Sequence, residues 1–302
     1  MNDIPEKQNE PRQLERLAAQ RQLYSTAKRI FGAQVILGAP VAFGWALLVV
    51  LFPEVKGFAA LWGVAITLAD ILWLTPWQKQ LRESAAKIQE AFDCEVLDLS
   101  WNEIKAGKPA DYELVKEQAV KFDNGSESTP LWDWYPPVVG DLPIEVARVI
   151  CQRANCRWDS NQRRRYAAWV IACVIFVSVL VFGLGFIGGM TVEKFFLAIF
   201  LPLSPAFILG IRQFTEQTEA ANRLDKLKEH ADRLWSEACK NESAAISTIK
   251  SRALQDEIFE NRKRSPLVFD WVFYLVRDRY EEQMNHGAQE LAEEAKRKLR
   301  LP

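Results

Sequence analysis

Hydrophobic and charged positions are segregated along this chain. Charged side chains are missing from residues 30–53, from 57–78 apart from Asp70, from 166–192 and from 195–211, and they crowd the remainder. A helix rises about 1.5 Å per residue and the hydrocarbon of a bilayer is about 30 Å thick, so roughly 17 to 25 apolar residues cross it. The pattern therefore predicts four transmembrane helices, at about 30–52, 57–75, 166–187 and 195–211. The last is at the lower limit of length and holds Pro202 and Pro205, which predicts a kink. Connections of a few residues, 53–56 and 188–194, make the four into two antiparallel hairpins, 30–75 and 166–211.

The polar segments read as mostly helical. Leu14, Leu17, Tyr24 and Phe31 recur at helical spacing, marking residues 1–29 as an amphipathic lead into the membrane. In the central segment, 76–165, helices are expected at 77–92, 111–122 and 144–155. The period-2 alternation of 92–99 (FDCEVLDL) predicts a short strand, and 123–130 an exposed loop. In the last segment, 212–302, Leu224, Leu227, Ala231, Leu234 and Ala238 form a coiled-coil-like stripe, open to pairing with another subunit or to packing on the chain's own helices. Pro266 restarts the chain into a further amphipathic helix carrying Trp271, Val272, Leu275 and Val276. The fold class is thus a mainly α membrane protein with a largely helical cytoplasmic domain built from three separated segments.

Orientation follows from Lys and Arg near the ends of the spans. They flank the polar segments (Lys28 and Arg29, Lys79 and Arg82, Arg163 to Arg165, Arg212), whereas the hairpin tips hold only Lys56 and Lys194. Cationic residues stay on the cytoplasmic side, so both termini are expected there, in a multi-pass protein of the inner membrane. The polar stretch ahead of the first span argues against a cleaved signal peptide. Composition agrees only on average. A mean hydropathy of -0.11 with 25% charged residues imitates a soluble protein, and the net charge of -1 gives no broad basic face for a long nucleic acid.

Little in the sequence suggests catalysis. His230 and His286 are the two histidines, too few for a histidine metal site or triad. The five cysteines contain no CxxC pair, and a reducing cytoplasm leaves them as free thiols. Gly183, Gly185 and Gly188 spell GxGxxG, but at the end of an apolar span, where close helix packing or a turn explains them better than a phosphate loop. The chain reads as a non-enzyme with no metal and no cofactor.

Two places invite a functional reading. In the membrane, a carboxylate such as Asp70 is costly and needs a reason, either a water-filled path or partner subunit, or neighbours that satisfy it near the cytoplasmic end. With Gln34 and the kinking Pro202 and Pro205 it makes the candidate pore set. So few polar groups would serve a pore only between subunits, as a homo-oligomer in the bilayer. Small residues such as Gly38, Ala42, Gly57 and Gly63 are expected chiefly to hold each hairpin together. On the cytoplasmic side, Trp132, Trp134, Tyr135 and Trp158 sit near Arg153 and Arg157. Bases stack on aromatic rings and phosphates bind forked guanidinium groups, so a small nucleotide would suit these six residues. Tryptophans that seal a core, beside arginines that anchor a span at headgroups, would give the same pattern.

These motifs also carry a resemblance. YSTAKR at 24–29, FD at 92–93, LWDWYP at 131–136, CQRxN followed by WD at 151–159, RRxY at 163–166 and VRDRYEEQM at 276–284 resemble the SMODS-associated four-transmembrane effector family, along about residues 13–284. The resemblance implies a pore-forming effector of bacterial antiphage defence of the CBASS type. A partner nucleotidyltransferase would make a cyclic oligonucleotide, whose arrival on the cytoplasmic side opens or assembles the membrane part and arrests the infected cell. The competing reading is a membrane-anchored sensor or scaffold that recruits a cytoplasmic partner without a pore.

Overall fold

The computed structural model describes residues 1–125, 131–189, 191–240 and 244–301, and all regular structure among them is helical. A short α1 (Ile4–Lys7) precedes α2 (Pro11–Gly38) and α3 (Pro40–Leu51). A tight turn, Pro53–Val55, leads into α4 (Lys56–Ala69) and α5 (Thr75–Val96). Then come α6 (Glu103–Ala106), α7 (Tyr112–Gly125), the 44-residue α8 (Ile144–Ile187), α9 (Val192–Phe195), α10 (Leu201–Ala238), α11 (Ala244–Arg264) and α12 (Asp270–Leu299).

Prolines set the irregularities of the apolar helices. Pro40 lacks an amide proton, and α2 meets α3 there through Ala39, within the continuous stretch Pro11–Leu51. Pro76 follows a π-helical turn at Asp70–Leu74, and Pro202 follows another at Phe196–Phe200. In each case a π-type bond closes the turn ahead of the proline, from Thr75 N–H to Asp70 O and from Leu201 N–H to Phe196 O.

Three continuous helical stretches, Pro11–Leu51, Pro53–Val96 and Ile144–Ile187, are long and apolar enough to cross a membrane. Their apolar segments are bare on the outside. Phe58 is 67% exposed, Leu61 66%, Phe176 66% and Val179 67%. A contiguous belt of such side chains is foreign to a water-soluble surface and natural in lipid. Inside the belt, Ala42 and Ala46 of α3 are buried with Val181 of α8 and Leu203 of α10. Small residues therefore join the first apolar segment to the second pair. Gly57 and Gly63 of α4 have nothing within 4 Å of a Cβ, which corrects the expectation that such residues zip each hairpin shut. Gly185 does pack closely: a Cβ there would come within 2.5 Å of the Phe195 ring, so this glycine serves the contact across the hairpin, whereas Gly183 has nothing within 4 Å.

The polar ends of these helices build one core. Leu17 of α2, Phe92 and Val96 of α5, Val146 and Ile150 of α8, Leu224 and Leu234 of α10 and Leu254 and Ile258 of α11 are buried together. The α10 stripe thus packs on the chain's own helices. The strand expected at 92–99 is instead the last turn of α5, and Asp98 then takes a left-handed turn at φ 52°. Its alternation misled because the acidic positions are inside or paired: Asp93 is wholly buried and ion-paired to Arg262, and Glu95 bonds Arg16. Arg148, 1% exposed, donates to the carbonyls of Leu97 (2.8 Å) and Asp98 (3.2 Å), satisfying the end of α5. It is a structural arginine and no headgroup anchor. Of the loop expected at 123–130, residues 126–130 lie outside the described residues, and α7 runs to Gly125.

Candidate functional site

A cavity of about 340 Å³ opens in the part built from the polar segments, in the range of small-ligand sites. Every helix that continues into the apolar belt lines it: α2 through Arg21, Tyr24 and Lys28, α5 through Arg82, α8 through Trp158, Asp159 and Arg163, and α10 through Leu224. The segment 131–134 adds Trp132, Asp133 and Trp134, α11 adds Arg262, and α12 adds Phe273, Tyr274, Arg277 and Glu281. Cationic side chains outnumber carboxylates on its wall, and aromatic rings alternate with them.

The cations differ in what holds them. Lys28 pairs with Asp270, Arg277 with Glu281 at 3.3 Å, and Arg163 with Asp159 at 3.0 Å. Arg262 is locked below the cavity on Asp93, which also accepts from the Tyr135 hydroxyl (2.6 Å) and Gln255 (2.8 Å). Burial alone would lower the Arg262 pKa; Asp93, with Tyr135 and Glu90, outweighs it and keeps the guanidinium firmly charged. The neighbouring Glu90 is pushed above the usual carboxylate range by burial, with Asp93 adding to it. Arg21 and Arg82 are different: among the described residues neither has a carboxylate within ion-pair distance. Arg21 lies 5.7 Å from the Trp134 ring centre and 5.5 Å from that of Phe273. Burial lowers the pKa of both, and Arg82 Nε has no hydrogen-bond partner. Two desolvated guanidinium groups without an anion, beside Trp132, Trp134 and Trp158, suit a ligand with phosphates and bases.

The six residues singled out from sequence divide evenly. Trp132 (61% exposed), Trp134 and Trp158 line the cavity. Tyr135 does not: 1% exposed, it is bonded to Asp93 and, through its backbone, to Gln8 Oε1 at 2.7 Å. Arg153 pairs with Asp232, and it and Arg157 line a second, smaller groove with Gln283 and Leu291 that adjoins the cavity at Trp158 and Met284. On α8 they stand five and one residues before Trp158, about 140° and 100° around the helix from it. The cavity-lining Arg21, Lys28, Arg82, Arg262 and Arg277 were not singled out from sequence, although Lys28 and Arg277 sit inside the YSTAKR and VRDRYEEQM runs. Those runs, LWDWYP, the Asn155–Asp159 stretch and Arg163 converge on this one cavity.

Near the membrane end, Gln34 and Asp70 do meet. Gln34 Nε2 and Thr75 Oγ1 (3.1 Å) donate to Asp70 Oδ1, and Gln78 Nε2 donates to Gln34 Oε1. Pro202 and Pro205 lie on α10, Pro202 directly after its π turn and Pro205 within continuous helix.

All five cysteines are free thiols. Burial pushes Cys156 up to about 12, and Cys94 as high with Glu90 adding to it; Cys151 is raised as well. At pH 8 the thiolate fraction of Cys94 and Cys156 is then on the order of one in ten thousand, and the thiolate is the species that reacts. Maleimide is expected to leave Cys94, Cys151 and Cys156 unmodified in the folded protein and to label them once it is denatured, as read by intact mass. Labelling of Cys156 in the folded protein at the rate of a free thiol would contradict this packing.

Comparison with known proteins bears on the cavity and the belt together. The model of the SMODS-associating 4TM effector domain family matches residues 2–291. A protein of Bacillus cereus (strain VD146), described as a probable CBASS effector molecule, is 24% identical over 286 residues, covering 92% of this chain and 95% of its own length. No solved structure matches.

Proposed function

Because this chain belongs to the SMODS-associating 4TM effector domain family, we propose that it is a membrane effector of antiphage defence, triggered by a cyclic oligonucleotide from a partner nucleotidyltransferase. The observation that carries this reading is the cavity, a cationic and aromatic pocket whose walls are the cytoplasmic ends of all the helices that enter the apolar belt. The description of the Bacillus cereus relative as a probable CBASS effector supports it.

In this reading the chain crosses the inner membrane four times, at 30–52, 57–75, 166–187 and 195–211, with both termini in the cytoplasm. The ligand binds only by contact and no catalytic step follows. Among the described residues one subunit offers one hydrogen-bonded polar cluster at its spans, Gln34, Asp70 and Thr75 with Gln78 just beyond, so the conducting path forms between copies in a homo-oligomer. A ligand opens such a path only by binding the open state more tightly than the resting one. The recruiting-scaffold alternative is disfavoured because the α10 stripe it would use is buried: Leu224 is 3% exposed, Ala231 0% and Leu234 6%.

Dye-filled liposomes carrying the full-length protein provide the test, with cyclic di-AMP, cyclic di-GMP, cyclic GMP-AMP and cyclic tri-AMP as the panel. Release with at least one of them, matched by binding of the same nucleotide in detergent, is the expected result. Absence of both binding and release across the panel would overturn the reading.

A further inference from the structure

The chain between α11 and α12 is tied down in an unusual way. Three consecutive backbone carbonyls each accept a side-chain hydrogen bond from a different helix: Ser265 O from Arg82 Nη1 of α5 (2.9 Å), Pro266 O from Arg163 Nη1 of α8 (2.8 Å), and Leu267 O from Gln217 Nε2 of α10 (2.8 Å). Asp270 then pairs with Lys28 of α2, and the Phe269 ring stacks on Phe31 of α2 at 4.8 Å. The helices holding residues 265–270 are the four that continue into the apolar belt. Arg163 Nη1 also donates to Gln217 Oε1 (2.8 Å), so two of the ties are coupled.

This strap is also a wall of the cavity, through Ser265, Pro266, Leu267 and Asp270, as are Arg82, Arg163 and Lys28. Two of its fastenings, Arg82 and Arg163, are guanidinium groups held by neutral carbonyls, weaker partners than a phosphate. Ser265 Oγ, Arg82 Nε and Arg262 Nη2 are buried there without hydrogen-bond partners. Resting on the cavity's assignment as the nucleotide site, we propose that residues 265–270 are an autoinhibitory clip. It holds the four helices in the resting arrangement, and a ligand's phosphodiester groups unfasten it by taking Arg82 and Arg163 from the carbonyls of Ser265 and Pro266. Gln217, outside the cavity, is a positioning residue for the clip.

The test separates the clip from the ligand. In dye-filled liposomes without nucleotide, Lys28→Glu and Gln217→Leu are each expected to raise the resting leak about tenfold or more over wild type. The double reversal Lys28→Glu/Asp270→Lys remakes the pair and is expected to return the leak to the wild-type rate, which general damage to the fold would not do. Should Gln217→Leu fail to fold, the charge-reversal pair decides alone. Single variants as tight as wild type, or a double reversal as leaky as Lys28→Glu, would overturn the clip, and wild-type release by a panel nucleotide would leave the ligand reading standing. Leaky singles with a restored double, when no panel nucleotide binds, keep the clip and remove the ligand. Because a lipid headgroup also presents a phosphodiester, vesicles of phosphatidylcholine are run beside vesicles containing phosphatidylglycerol. The nucleotide is expected to be required in both, and wild-type release that follows phosphatidylglycerol alone would overturn the nucleotide as the group that opens the clip.

Discussion

Arg21→Ala is expected to weaken cyclic-nucleotide binding by about ten- to a hundredfold, whereas Arg157→Ala leaves it unchanged. The difference is one of surroundings. Arg21 is held between the Trp134 and Phe273 rings, has no carboxylate pair among the described residues and has its pKa lowered by burial, an effect only partly offset by Tyr274, Asp270 and Glu281. A desolvated cation of this kind gains most when an anion arrives, and a hydrogen bond between charged groups contributes about 1.5–3 kcal/mol. That range corresponds to roughly ten- to more than a hundredfold in affinity. Arg157 lines the adjoining smaller groove and is not part of the cavity wall. Calorimetry on the full-length protein in detergent reads both variants. Equal loss from both, or loss from Arg157→Ala alone, would move the site to the groove.

The contrast between these two arginines shows what the sequence could reveal. Contiguous information was legible: the apolar stretches, the polar helices and the runs around Tyr24, Trp132, Trp158 and Arg277 were all visible as pattern. Information spread over distant segments was not. Nothing local distinguishes Arg82, which closes on a carbonyl 183 residues away, from any other arginine after a span. Tyr135 stands beside Trp134 in the same motif, yet its hydroxyl points into the Asp93 network while Trp134 faces the cavity. At 92–99 the alternation of apolar and acidic residues looked like a strand because a buried ion pair places a carboxylate inside a helix, which the pattern rule assigns to solvent. Pro202 and Pro205 were read as a kink; the structure has a π turn ahead of Pro202 and continuous helix through Pro205, a distinction the pattern does not carry.

Gln34→Leu is expected to make the resting protein leak without nucleotide, and Asp70→Leu to make it tighter than wild type. A carboxylate in a span costs about 2.5–3.5 kcal/mol on insertion scales, so the resting state depends on what compensates it. Here the compensation is the Gln34 amide, steered by Gln78, together with the Thr75 hydroxyl. Removing Gln34 takes away a hydrogen bond to a charged acceptor, about 2 kcal/mol, and leaves Asp70 with Thr75 alone. Any arrangement in which Asp70 meets water is then favoured by the same amount, roughly a thirtyfold rise in the open population. Asp70→Leu removes the cost itself, and Gln34 can turn to Thr75, already 3.4 Å away. The double variant Gln34→Leu/Asp70→Leu is therefore expected to be tight again, because the leak comes from a stranded charge and not from a lost packing contact. Liposome leak rates and colony survival on expression read the three variants together. A tight Gln34→Leu beside a leaky Asp70→Leu would mean that Asp70 seals the resting state by its own bonds, the reverse of the role assigned to it here.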